Sequence, residues 1–311
     1  MLILYNRKAN KKEFMSDKPK RRIGDRKDAR RLRKIDSMHA FMPYLLPDRT
    51  ANEAVLMEYA DVEMLEKYVA QKNENSPEFK YTVFHAVLAA LAKTIYLRPK
   101  MNYFYQGHRL YERNDILFSF TAKRTFEDGS EEALAIIKFD KESELSPVEQ
   151  IYQKVKKFVM KIRKKGETDG ATDIIGKLCR LPRFLLKFVV WVLRKLDYYG
   201  IMPQALSKED PYYSTVFVSN LGSIKATASY HHLANWGTTS IFVIIGEMKK
   251  MQVVDKEGNV SVKKCIPLGI TVDERIADGF YFAKSFKIFK HLIENPELLD
   301  RPLDEEIDFK V

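Results

Sequence analysis

Residues 272–279 read V-D-E-R-I-A-D-G, and residues 216–223 read V-F-V-S-N-L-G-S. Each carries a β-branched, apolar run into a turn bearing polar groups. The first is fed by P-L-G-I-T-V (267–272), a buried-strand pattern. Asp278 then caps a helix over F-Y-F-A-K-S-F-K-I-F that reaches about Ile293 and is stopped by Pro296. The second closes a strand over Tyr213–Val218.

Outward from these stretches, the last third of the chain reads mostly as strands: Thr239–Glu247, Met251–Val254, Val260–Lys264 and Pro267–Val272. A hairpin turn is expected at Lys256-Glu257-Gly258-Asn259. Upstream, A-R-R-L-R-K-I-D-S-M-H-A-F-M (29–42) has helical spacing and meets Pro43 and Pro47. Ala54–Tyr59 suits a strand, and Asp61 can cap a helix to about Gln71. Tyr81–Tyr96 is a buried helix ending before Pro99. Strands at Asp115–Thr125 and Glu132–Asp140 flank the turn residues Asp128-Gly129, and Ser146–Lys165 is an amphipathic helix with Pro147 in its first turn. Consecutive strands with helices elsewhere predict an α+β fold with a mixed sheet, not a doubly wound parallel one.

The chain has 311 residues and a net charge of +11, but residues 1–35 hold 14 Lys/Arg and 4 Asp/Glu, so that segment carries +10 and the rest only +1. A basic arm over 1–28 is expected to be solvated or docked on the protein itself. An anionic lipid surface is the next reading, and nucleic acid the weakest, because the arm is nearly without aromatics to stack on bases. Met15, opening the polar stretch M-S-D-K-P-K-R-R, reads as an alternative translation start to Met1. Cys179 and Cys265 are too few for a disulfide framework, and no secretory pattern opens the chain, so a cytoplasmic location is expected. The domain is placed at 29–300, with a helical insertion at about 166–212 and an acidic tail at 301–311.

Three stretches stand in a telling order. Y-T-V-F-H-A-V-L-A-A-L-A-K-T-I-Y-L-R-P-K-M-N resembles the long helix ending in Pro-x-x-Asn of the dihydrolipoyl acyltransferase catalytic domain of 2-oxo acid dehydrogenase complexes. V-F-V-S-N-L-G-S is similar to its F-T-x-S-N-L-G turn, and V-D-E-R-I-A-D-G to its D-H-R-x-x-D-G motif. The resemblance covers roughly residues 30–300 and implies a chloramphenicol acetyltransferase-like fold, a two-layer mixed β-sheet with packed helices. It also implies a homotrimer with active sites in channels between subunits, and coenzyme A or another acyl thioester as substrate. In that family the motif histidine deprotonates a thiol that attacks a thioester, the turn serine steadies the oxyanion, and the trailing Asp fixes the loop. By position, Ser219 becomes the oxyanion donor and Asp278 the loop-fixing carboxylate, with Asn220, Gly222 and Arg275 beside the substrate. No lipoyl-bearing D-K-A segment or Ala/Pro linker is seen, so a free-standing relative without a lipoyl attachment site is expected.

The departure is Glu274, which stands where the histidine belongs. A thiol near ~8.5 lies about two units above an imidazole and about four above a free glutamate. The difference is worth roughly 3 kcal/mol, on the order of a hundredfold in rate if fully expressed. Burial, or repulsion from Asp273 and Asp278, would shrink it, and Arg275 would enlarge it. Two readings stay open: an acyltransferase with a glutamate base, or an inactive binding or scaffolding relative in which Glu274 pairs with Arg275 or another cation. His231 and His232, a dozen residues beyond Ser219, are the substitute imidazoles and belong with the substrate-binding residues. The pair lacks the Cys or carboxylate spacing of a metal site, and no metal is expected.

Between Lys165 and Ser219 the resemblance fades. Lys177, Arg180, Arg183, Lys187 and Arg194 recur at helical spacing along an otherwise apolar stretch at 172–196. Its longest uncharged apolar run, Phe188–Leu193, is far short of the ~20 residues that span a bilayer. Packing in the core or against another subunit, contact with a membrane surface, and a lid over an acyl-chain tunnel are the three readings.

Overall fold

The computed structural model describes residues 21–123, 132–165, 176, 178–255, 257–305 and 307. The turn at Asp128-Gly129, Lys256, Lys177 and most of the basic arm lie outside them.

Short strand β1 (Ala29–Arg31) precedes helix α1 (Ser37–Leu45). Strand β2 (Glu53–Asp61) leads into α2 (Glu63–Lys72) and the buried α3 (Val83–Leu97). Then come β3 (Tyr103–Gln106), β4 (Arg109–Arg113), β5 (Ile116–Lys123) and β6 (Glu132–Phe139). Helices α4 (Pro147–Lys165), α5 (Arg183–Tyr198) and α6 (Gln204–Ser207) follow. The chain finishes with β7 (Val216–Asn220), β8 (Ile241–Ile245), β9 (Lys249–Val254), β10 (Val260–Asp273) and α7 (Gly279–Glu294).

The main sheet runs β2-β10-β8-β7-β5-β6, with β9 added against the first half of β10. β7 lies parallel to β5 and β8 and the other pairs are antiparallel, the mixed sheet that the strand pattern predicts. Alternate residues of these strands, such as Phe118, Val216, Val218, Val243 and Ile270, point into the principal core under α3, α4 and α7. α3 is apolar all round because it is enclosed all round; every residue from His85 to Ile95 is buried. The opposite face is thinly covered by a small cluster in which Ala228 and Leu233, from the long β7–β8 connection, rest on Phe217, Phe242 and Ile244.

Several sequence expectations need correction. The helix placed over 29–42 begins only at Ser37, where Asp36 accepts the amide of His39; Ala29 is instead buried in β1, paired with β4. Val260–Lys264 and Pro267–Val272 are one strand, not two. The carbonyl of Pro267 accepts from Gly246, so its ring nitrogen faces the same edge. Gly246, just past β8, stands opposite, so the missing N–H leaves this pair with one ladder bond instead of two, and the strand runs on into its pairing with β8 from Leu268. The arm is not free to residue 28, since Arg26 is buried between Asp28 and Asp197. Nor is the start of the acidic tail free: Leu303 and Ile307 pack on the core, and buried Lys93 donates to the carbonyls of Leu298 and Pro302. Finally, α5 starts at Arg183 after Pro182, which leaves Arg180 in a turn and shortens the basic stripe to Arg183, Lys187 and Arg194.

Candidate active site

β10 ends in a buried ion pair. Asp273 is fully buried, and its two carboxylate oxygens accept from Arg275 Nε at 2.8 Å and Nη2 at 2.7 Å, a bidentate fork. Arg275 Nη1 donates to the carbonyls of Leu46 and Pro47 beyond α1, and the guanidinium lies 5.2 Å from the centre of the Tyr105 ring. Arg275 is therefore a positioning residue. Its expected place beside substrate is not where the structure puts it, and it does not pair with Glu274. Arg49, also buried, approaches Asp273 at 3.6 Å and donates to the carbonyls of Ala234, Tyr105 and Gly237. Burial, with the like charge of Arg275, pulls Arg49 below its ordinary value against the opposing Asp273.

This cluster locks the backbone on which Glu274 sits while its carboxylate stays in water. Glu274 is exposed and has no hydrogen-bond or ion-pair partner among the described residues. Asp278 caps α7 by accepting the amide of Tyr281 at 2.9 Å, and that bond holds its carboxyl below the usual carboxylate range.

Ser219 lies at the other end of the sheet. It is in register with Ile244 of β8, which in turn faces Gly269 of β10. Glu274 is five residues past Gly269 and two strands away, roughly 19 Å from Ser219 within one chain. No single protomer brings the two together. Ser219 is half-buried, and its hydroxyl has no hydrogen-bond partner among the described residues. Asn220 and Gly222 line a cleft of about 270 Å³ together with Thr82, Phe84, Ser223 and Met248. Gly222 is constrained by packing as well: a Cβ there would press against the carbonyl of Gly246. Thr82 and His85 form the capping box of α3 on the same cleft, His85 Nδ1 accepting from the Thr82 amide at 3.0 Å.

His231 sits over the thinly covered sheet face. Its ring is sandwiched between His232 (4.5 Å) and Phe242 (4.2 Å), and Phe242 stacks on Phe217, two residues from Ser219 on the same face. Nδ1 donates to the carbonyl of His232 at 2.7 Å, so in the neutral ring Nε2 is the acceptor. By register, the Phe242 backbone beneath the ring is roughly 8 Å from Ser219. His232 is exposed and serves as one wall of the stack. Among the described residues no group of three or more His, Cys, Asp or Glu is placed to hold a metal ion.

Residues 202–300 match the family model "2-oxoacid dehydrogenases acyltransferase (catalytic domain)". A probable dihydrolipoamide acetyltransferase from Listeria monocytogenes 4b F2365 superposes with a TM-score of 0.54 at 16% identity, over 86% of this chain and 95% of that one. The cubic core of the pyruvate dehydrogenase multienzyme complex gives 0.55 at 14%, over 86% and 93%. A chloramphenicol acetyltransferase gives 0.52 at 9%, over 88% and 100%. The fold is chloramphenicol acetyltransferase-like. No curated protein matches the chain in sequence. The acyltransferase match takes in both S-N-L-G and D-E-R-I-A-D-G, so the resemblance read from those motifs holds where the fold places them at opposite sheet ends. Arg49 escaped the sequence reading because P-D-R-T carries no periodic or catalytic pattern; its role follows only from carbonyls brought to it from 105, 234 and 237.

Proposed function

We propose that the protein is an acyltransferase whose sites form between subunits of a homotrimer, Ser219 of one chain facing Glu274 of its neighbour. The donor is the thioester of coenzyme A or a similar carrier, and the acceptor carries a thiol or hydroxyl. Glu274 takes the acceptor's proton as the acceptor attacks the thioester carbonyl, and the Ser219 hydroxyl donates to the resulting oxyanion. Collapse expels the donor thiolate, which recovers a proton from Glu274. Arg275, Asp273 and the Asp278 cap hold the base's backbone in place. The two half-sites support this reading: each functional side chain is unspent within its own chain, and the two lie too far apart to act together in one protomer.

A binding protein without turnover is the second reading. One observation favours it: Glu274 is exposed, and nothing in its own chain removes water from it. Acyl-thioester turnover in wild type, Glu274→Gln and Glu274→His separates the two. Loss of turnover in Glu274→Gln with activity kept or raised in Glu274→His supports the base assignment. Equal rates in wild type and Glu274→Gln remove Glu274 as base, and thioester binding without turnover in all three leaves the binding reading.

A further inference from the structure

Helix α5 of the insertion does not enter the core. None of the residues of α5 belongs to a core cluster, and its aromatic side chains face water: Phe184 is 76% exposed, Phe188 59% and Trp191 56%. At 100° per residue, Trp191, Phe184 and Phe188 fall within an arc of about 60° on the helix surface. Arg183, Lys187 and Arg194 fall within about 40° immediately beside them. Phe188 and Trp191 stack on each other, so the two exposed rings form one continuous ridge. The basic side chains of α5 have no ion pair among the described residues, and its one carboxylate, Asp197, is buried against Arg26.

The ridge continues onto a second helix. His108 lies between Tyr44 of α1 and Tyr198 at the end of α5, with ring centroids at 4.6 and 5.6 Å. α1 in turn exposes Met38, Phe41, Tyr44 and Leu45. The Arg26–Asp197 pair also ties the N-terminal stretch to the end of α5, and residues 1–22 of that stretch hold eight Lys/Arg against two acids. Apolar and cationic features thus lie together on one side of the molecule, and no helix among the described residues is long and apolar enough to cross a membrane.

We propose that α5 docks the protein on an anionic phospholipid bilayer, lying along the surface. Trp191, Phe184 and Phe188 enter the boundary between headgroups and acyl chains, and Arg183, Lys187 and Arg194 meet lipid phosphates. An amphipathic helix with aromatics beside a cationic stripe has the chemistry for this. Charge complementarity selects a membrane over another protein copy. A second copy of this chain would have to set this same uncompensated cationic stripe against its own, or find an acidic patch for it elsewhere on the surface.

The full-length protein is tested by flotation with vesicles of phosphatidylcholine alone and with about 30% phosphatidylserine added, at low ionic strength. Wild type is expected to float with the anionic vesicles and not with the neutral ones. The exposed-residue double variant Phe188→Glu/Trp191→Glu is expected to lose about tenfold or more in partitioning. Lys187→Glu/Arg194→Glu should lose binding to the anionic vesicles as well. Brominated acyl chains should quench the fluorescence of wild type and much less that of Trp191→Phe, because the remaining Trp236 is half-buried and tied to Asp210 outside α5. Wild type that stays unbound overturns the proposal. So does a Phe188→Glu/Trp191→Glu variant that floats like wild type, which would assign binding to the basic segment alone. A fall in oligomer mass of that variant by light scattering would make the ridge a contact between copies, and the proposal fails.

Discussion

Where β10 ends, Asp273, Arg275 and Arg49 are buried and bond to one another and to backbone carbonyls of three separate segments. Where β7 ends, Ser219 and Asn220 are half-buried beside an open cleft, and their surroundings are glycines and a helix N-terminus. The wired end presents one free carboxylate, Glu274, on a rigid backbone; the open end presents one free hydroxyl. Reading a catalytic site from charged residues alone would choose the buried cluster. The difference teaches that in this fold the dense polar network is scaffolding, and the chemistry we propose falls to the side chains it leaves out.

The contrast breaks most sharply at Arg275. Arg275→Met leaves Asp273 buried with the backbone amide of residue 275 and the longer contact to Arg49 but without its bidentate cation, and should cost about 3–5 kcal/mol in chemical denaturation. A variant as stable as wild type would mean that the cluster is not the scaffold described. At the start of α3, which borders the cleft through Thr82, the main titration is that of His85, whose burial among Phe79, Phe84 and Tyr152 pulls its pKa from 6.5 to about 4. Between those values the unfolded chain binds a proton that the folded one does not. Stability is therefore full above about pH 6.5 and falls as pH drops toward 4, by about 3 kcal/mol in all. His85→Gln keeps the capping-box pattern with Thr82, and its melting curves should lose this slope between pH 6.5 and 4.

Smaller effects sharpen the comparison on the Glu274 loop itself. Asp278→Ala removes a helix cap and should cost about 1 kcal/mol, whereas Asp278→Asn, also a good cap, should be close to neutral in thermal unfolding. If Asp278→Asn folds normally yet loses turnover, the charge of Asp278 acts beyond capping. Glu274→Gln should shift stability by less than about 0.5 kcal/mol, since the side chain has nothing to lose. A larger loss would reveal a structural partner for Glu274.

What the sequence disclosed follows from which forces leave a periodic trace. α3, α7 and the central strands were legible because burial on one or all sides writes itself into spacing. The β1-β4-β3 sheet was not, since Ala29–Arg31 is three residues long and two-thirds basic. The β3–β4 hairpin turns on Gly107-His108, both at positive φ (56° and 59°), a two-residue turn in which histidine takes a place usually filled by Asn or Gly. The continuity of β10 through Pro267 was not legible either, because only the register with β2 and β8 carries the strand past a residue without an amide proton. At the site, Ser219, Glu274 and the Asp278 cap could be named from local motifs. The anchoring of Arg275 on Leu46 and Pro47 and the reach of Arg49 to Asp273 could not, because they join residues more than two hundred positions apart.

The account rests on Ser219 and Glu274 meeting only between chains, and co-assembly of two crippled variants tests this most directly. Ser219→Ala and Glu274→Gln, each inactive alone, are co-expressed and purified as mixed trimers, and acyl-thioester turnover is measured. Every mixed trimer holds one interface in three with both halves intact, so about a third of wild-type turnover should return. Mixed trimers as inactive as the separate variants would contradict a shared site.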